Sequence, residues 1–307
     1  MDSSNSILVQ VPATTANLGS GFDCIGTALS FYNEFEFSLD ENKTSFTVVG
    51  DGAEKISLSE DNLLYKSFLH FYHHTGITPP YVDIKIKINV PLARGLGSSA
   101  TAIVAGLLAA NYYSTNKLSS SELIDLAIEL EGHPDNVVPA FLGNCILSVG
   151  EKNNWQFVPI NCHQDIKFIL GIPDFELSTE SARAVLPKQL SYHDAVYNIA
   201  HLGLLIKGLE TGNENWLKEA LKDKLHQPYR KSLIKGYDDI YKAVIKADGY
   251  GMVISGAGPT LLALSSSINA EKVMTGIKTT WGDLGVNADV RCLDLDTKGS
   301  TLTINND

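Results

Sequence analysis

The clearest regularity in the chain is at residues 81–90, where Val82, Ile84, Ile86, Ile88 and Val90 alternate with Asp83, Lys85, Lys87 and Asn89. A period of two sends one face into a core and the other into water, so the segment is predicted as a half-buried β-strand. Shorter runs at 7–12, 31–39 and 46–50 read the same way, with a Gly/Ser/Thr-rich loop at 13–26 between the first two. Residues 62–75 carry apolar positions at helical spacing. After a break at 91–97 the pattern resumes as Ser98–Tyr113, Ala-rich and apolar nearly all round, which predicts a buried helix. Residues 119–131 predict a second helix, this one amphipathic.

Residues 166–172 read as a buried strand that opens a second domain. Beyond it, helices are predicted near 192–208, 214–222, 236–247 and 270–281, and strands at 251–255, 260–264 and 289–294. Strands and helices mix without strict βαβα alternation, which favours an α+β fold over a doubly wound sheet. The expected domains are 1–165 and 166–307.

Composition narrows the partners. With 44% hydrophobic and 19% charged residues, the 307-residue chain has ordinary globular make-up and can bury a core. Its net charge of −11, with no Lys/Arg-rich run, repels a phosphate backbone, so nucleic acid is not expected as a partner. Any bound anion must be held by a local site. Cys24, Cys145, Cys162 and Cys292 form no CxxC spacing and are expected to be reduced. Residues 1–12 are polar and then β-like, without a signal-peptide pattern. The longest apolar stretch, 102–110, is about half of the ~20 residues a membrane span needs. A soluble, cytoplasmic protein is expected.

The local anion site is predicted at Pro91-Leu92-Ala93-Arg94-Gly95-Leu96-Gly97-Ser98-Ser99-Ala100-Thr101, between the alternating strand and the buried helix. Gly95 and Gly97 let the backbone turn tightly and approach a ligand. Ser98 and Ser99 fall where the helix begins, and its unpaired N–H groups suit a phosphate. Arg94 offers a formal charge. On the residues alone, a plain Gly-rich turn capped by Ser98 competes with this reading. A dinucleotide fingerprint (Gly95-x-Gly97-x-x-Ala100) fits less well, because the helix runs into another helix at 119 instead of a strand. No Walker A pattern occurs anywhere.

The stretch from Pro91 to Thr101 resembles the ATP-binding signature of the GHMP kinases (galactokinase, homoserine kinase, mevalonate kinase, phosphomevalonate kinase). Residues 11–26 (VPATTANLGSGFDCIG) are similar to that family's first motif and 251–264 (GMVISGAGPTLLAL) to its third. The resemblance implies an N-terminal domain like domain 2 of ribosomal protein S5, a ferredoxin-like C-terminal domain, and ATP phosphates over the 91–101 loop. It also brings the Gly256–Gly258 turn near the cleft; without it, that turn would read as a plain β-turn.

Glu131 has a separate signal. On the 119–131 helix, Glu122, Asp125 and Glu129 share the solvated face, whereas Glu131 lies almost opposite, alongside Ile124, Ala127 and Ile128. A carboxylate there, at the helix end the dipole disfavours, calls for a cation unless the helix has frayed. The resemblance implies that Glu131 and a loop serine, Ser99 in preference to Ser98, hold Mg²⁺.

Further residues are similar to the homoserine kinase branch of the family: Asn17, Asp23, His133, Asn136, Thr179, Arg183, Arg230 and Gly256. The resemblance implies that Asp23 meets the ammonium of an amino-acid substrate, L-homoserine, and that Arg183 and Arg230 meet its carboxylate. Asn17, His133 and Asn136 would surround the side chain and hydroxyl, with Asn17, Asn136 and Arg183 as catalytic residues. Asn136 stands where many relatives align a catalytic aspartate, and an amide cannot accept a proton at neutral pH. The side chain of the adjacent Asp135 is expected to point elsewhere. In-line transfer without a strong protein base is therefore expected, as a loose transition state permits. The alternatives are another small-alcohol GHMP kinase and a nucleotide-binding sensor without turnover. A homodimer is expected by resemblance alone.

Overall fold

The computed structural model describes residues 6–152 and 154–305, so the polar start at 1–5 lies outside the described residues. The first half runs β1 (Ser6–Ala16), β2 (Ile25–Asp40), β3 (Ser45–Gly50), α1 (Leu63–Thr75), β4 (Tyr81–Ile88), α2 (Ser98–Tyr113), α3 (Ser120–Glu131), α4 (Pro134–Leu142), β5 (Cys145–Glu151) and β6 (Asn154–Ile160). The second half runs β7 (Ile166–Pro173), α5 (Thr179–Ala184), α6 (Tyr192–Thr211), α7 (Glu214–Ala220), α8 (Gln227–Arg230), α9 (Tyr237–Lys246), β8 (Gly251–Ile254), β9 (Leu261–Ser266), α10 (Ala270–Asp283), β10 (Ala288–Leu293) and β11 (Thr301–Asn305).

Two sheets organise these elements. The first has seven strands, with β11-β1-β2-β4-β3 in order and the β5–β6 hairpin attached through β2. The alternation read at 81–90 is β4: Val82, Ile84, Ile86 and Ile88 are buried against α1 and α2 in one apolar cluster. α2 is buried along most of its length, as its all-round apolar composition requires. The second sheet is antiparallel, in the order β10-β7-β9-β8. Its units β7-α9-β8-β9-α10-β10 follow the ferredoxin-like pattern, and α9 and α10 cover one face through a core built on Val244, Ile277 and Trp281. The fold is α+β with two sheets, as expected.

Three features depart from the sequence reading. The loop at 13–26 shrinks to 17–24, because β1 continues to Ala16 with every residue from Val11 buried. A strand covered on both faces loses its alternation, so Thr14 and Thr15 do not look like strand residues. Residues 134–142 form a helix, with Pro134 at the start, where a missing N–H costs nothing. Inside it Pro139 leaves the Asp135 carbonyl without a helical donor. Gly26 packs against that carbonyl so closely that a Cβ would lie 1.6 Å from it. Finally, the division at 165 separates the two sheets only as far as β10, since β11 returns to pair with β1 (Gln10 opposite Thr301). The terminal strand thus belongs with the first domain.

Candidate active site

A cavity of 360 Å³ lies where the two sheets meet. Its walls come from the loop before α2, the 17–24 loop, the α3–α4 junction, α5, the end of α8 and the turn after β8.

The wall in front of α2 is held by backbone geometry. Gly97 caps α2 with φ 65°, and Gly95 has φ 71°. A Cβ on Gly97 would come within 1.9 Å of Thr14 Oγ1, and one on Gly95 within 2.2 Å of the Ser255 carbonyl. Only glycine fits either place. The Thr14 N–H donates to the Leu96 carbonyl at 3.1 Å and the Ser255 hydroxyl to the Gly95 carbonyl at 2.6 Å, so both sheets clamp the loop. The unpaired N–H groups of the first turn of α2 therefore sit on a rigid support at the cavity edge. Arg94 differs from its expected role. Its guanidinium donates to the carbonyls of Leu92, Pro173 and Asp174 and pairs with Glu176, so it ties the loop to β7 instead of offering a free charge to phosphate.

Glu131, the last residue of α3, reaches across to Ser99, whose hydroxyl donates to its two carboxylate oxygens at 2.8 and 3.0 Å. The helix persists to this residue, closed by Gly132 in the left-handed region. Burial raises the Glu131 pKa, with the Ser99 hydrogen bond and His133 opposing and Asp135 adding to the rise. A half-buried carboxylate beside a hydroxyl and a helix N-terminus is a hard-oxygen donor set that suits Mg²⁺ carried by phosphates. Among the described residues there is no cluster of three His, Cys, Asp or Glu side chains able to hold a metal by themselves.

Asp135 corrects the sequence reading. Its side chain, 1% exposed, points into the cavity wall and meets His133 Nδ1 at 2.5 Å. His133 is the N-cap of α4 and Asp135 lies in its first turn, which brings the two side chains together. Burial depresses the His133 imidazole, but the hydrogen bond and charge of Asp135, with Glu131 adding, outweigh it and raise the pKa. Asn136 lies beside the pair, its Oδ1 accepting from Thr14 Oγ1 at 2.8 Å.

Asn17 is held in place by the backbone around it. It has φ 63°, its Nδ2 donates to the Gly256 carbonyl at 3.0 Å and its Oδ1 accepts from the Asp23 N–H at 2.8 Å. Both ends of the amide are thereby anchored to the loop, and Asn17 lines the cavity with its second N–H and second lone pair still to be used. Asp23 forms a two-pronged pair with Arg183, at 3.0 and 3.2 Å. Arg230 is 1% exposed and donates to the carbonyls of Ala182 and Gly256, both at 3.0 Å. Phe22 lies under this guanidinium at 5.1 Å and stacks on His226 at 4.9 Å. Thr179 opens α5 and completes the rim.

A second cavity of 390 Å³ adjoins the first through Ala93, Ser98 and Ser99. Lys55, Ile56, Ser57, Asn62, Ile88 and Leu92 line it, and it is more apolar in character. The sequence reading missed it, because its walls come from a loop without a motif and from ordinary strand and helix residues.

A glycine-capped helix N-terminus facing a carboxylate, with a charged small-molecule pocket on one side and an apolar one on the other, is the layout of a small-molecule phosphotransferase. Residues 62–144 match the GHMP kinases N terminal domain and residues 205–283 the GHMP kinases C terminal domain. The chain belongs to the GHMP kinase family, and its curated relatives there are homoserine kinases. It is 55% identical over 301 residues to the homoserine kinase of Crocosphaera subtropica, covering 97% of this chain and 98% of that one. It is 55% identical over 297 residues to that of Nostoc punctiforme, covering 96% and 98%. The crystal structure of homoserine kinase from Cytophaga hutchinsonii superposes with a TM-score of 0.90 at 30% identity, covering 99% of both chains. A mevalonate kinase at 12% identity and a TM-score of 0.72 shares the fold.

Proposed function

We propose that the first cavity receives L-homoserine and that its side-chain hydroxyl takes the γ-phosphoryl group of ATP, giving O-phospho-L-homoserine and ADP for threonine synthesis. The observation that carries this reading is the charge pattern opposite the α2 N-terminus. Asp23, Arg183 and Arg230 set one anion beside two cations, the complement of an α-amino acid's ammonium and carboxylate. The phosphates lie over the Gly95–Ser99 backbone and the adenosine in the second cavity. Glu131 and Ser99 hold Mg²⁺, which when bound neutralises phosphate charge. A cytoplasmic homodimer is the setting that the family resemblance suggests for it.

Asp135 positions His133 in this scheme, and the acceptor hydroxyl hands its proton to an oxygen of the arriving phosphoryl group as the new O–P bond forms and ADP leaves, so that no strong protein base is needed. Positioning and the fixed N–H dipoles carry the rate. Asp135→Asn keeps an acceptor for His133, so kcat is expected to fall by about 10- to 100-fold. A loss of about 10³-fold or more in a folded variant would reinstate a carboxylate base.

The direct test is coupled ADP release with Mg-ATP and L-homoserine, mevalonate, galactose, L-serine and L-threonine as acceptors. Turnover on homoserine far above the others is expected. Turnover on a different alcohol would keep the kinase and discard the pocket assignment; turnover on none would leave a nucleotide-binding sensor.

A further inference from the structure

A buried carboxylate sets, and a buried threonine holds, the end of the Asn136 amide that faces the cleft. Thr14, on β1 and fully buried, donates its hydroxyl proton to Asn136 Oδ1 at 2.8 Å. On the other side Asn136 Nδ2 faces Asp135 Oδ1 at 3.5 Å. The carboxylate fixes one orientation, and the threonine holds it. A hydroxyl serves either end of an amide, but a carboxylate only accepts, so the reversed amide would set oxygen against oxygen at Asp135. Thr14 is itself held in place, by its N–H bond to Leu96 and by packing against Gly97. The Asn136 oxygen is thereby turned inward beneath the phosphate loop. Its NH₂ is the end left to the cavity that Asn136 lines.

We infer that Thr14 is a positioning residue for phosphoryl transfer, holding Asn136 so that Nδ2 donates to the oxygens that gain charge as the phosphoryl group moves. The inference rests on the kinase reading above and adds a role to a residue outside the cleft. A donor aimed at developing charge acts mainly on kcat.

The test compares Thr14→Val, which keeps the shape and removes the donor, with Thr14→Ser, which keeps the donor. Thr14→Val is expected to lower kcat by about 10- to 100-fold with KM for homoserine and ATP nearly unchanged. Thr14→Ser is expected to recover most of that loss. In an Asn136→Ala background Thr14→Val is expected to have no further effect, because the two residues act as one unit. Wild-type kcat in Thr14→Val, or a valine effect that adds in full to Asn136→Ala, overturns the inference. If Thr14→Val does not fold, Asn136→Asp decides, since a carboxylate has no N–H to offer. Turnover as low as in Asn136→Ala supports the donor, and turnover near wild type overturns it. Normal homoserine turnover with an indifferent Thr14→Val sinks the inference alone, whereas no homoserine turnover in the unaltered chain sinks the kinase reading with it.

Discussion

Glu131→Gln is expected to lower kcat by about 10³-fold at saturating Mg-ATP while the fold remains intact, since a metal-held carboxylate acts on charge that develops during transfer. The carboxylate sits half-buried at the end of α3, with its pKa raised by burial and the Ser99 hydroxyl as its hydrogen-bond partner. Removing its charge takes away a group that is poorly solvated without a cation. The melting temperature measured without metal should therefore hold or rise. The Mg²⁺ dependence of ADP release should move to higher concentration in the variant. Wild-type kcat and an unchanged Mg²⁺ profile in Glu131→Gln would remove Glu131 from the metal site.

Arg230→Met should raise KM for homoserine by about 10²–10³-fold, the scale on which truncating one member of a buried, hydrogen-bonded charge pair weakens binding. Arg230 is almost wholly buried, and its head group is anchored on the carbonyls of Ala182 and Gly256. A charge held this way needs no reordering to meet a carboxylate. Arg183 has a side chain 40% exposed and a carboxylate partner in Asp23, so water and that partner screen it. Arg183→Met should accordingly cost less than Arg230→Met. Nucleotide affinity, measured by titration calorimetry, should stay close to wild type in both. A larger effect at Arg183, or a loss of nucleotide binding with no change in KM for homoserine, would contradict the assignment of Arg230 to the acceptor.

Much of the site was legible before any coordinates. Gly95 and Gly97 stand where a Cβ would collide with Ser255 and Thr14, and their spacing before an apolar helix marked a tight turn there. Glu131 stood out as an acid on the apolar side of an amphipathic helix, and it does meet Ser99. Its position was legible only because the helical period of α3 continues to its last residue. The backbone ties of Arg94 and Asn17 were not legible. An arginine in a glycine loop and an asparagine in a turn have the same sequence appearance whether their polar groups face ligand or backbone. Here the carbonyls of Pro173, Asp174 and Gly256, all distant in sequence, claim them.

The sequence by itself determined the elements with a strong period, β4, α2 and α3, because alternation and helical spacing are local consequences of one-sided or all-round burial. It also placed a turn with unpaired N–H groups before α2, since glycines before a helix leave such groups whatever packs behind them. Only the tertiary structure decided the rest. Asp135 meets His133 because Pro134 starts a helix there, and β11 joins β1 across almost the whole chain. The second cavity arises where residues 55–64, β4 and α2 converge. These outcomes depend on which surfaces are covered by which neighbours, and a pattern of polar and apolar residues records that a face is covered without recording by what.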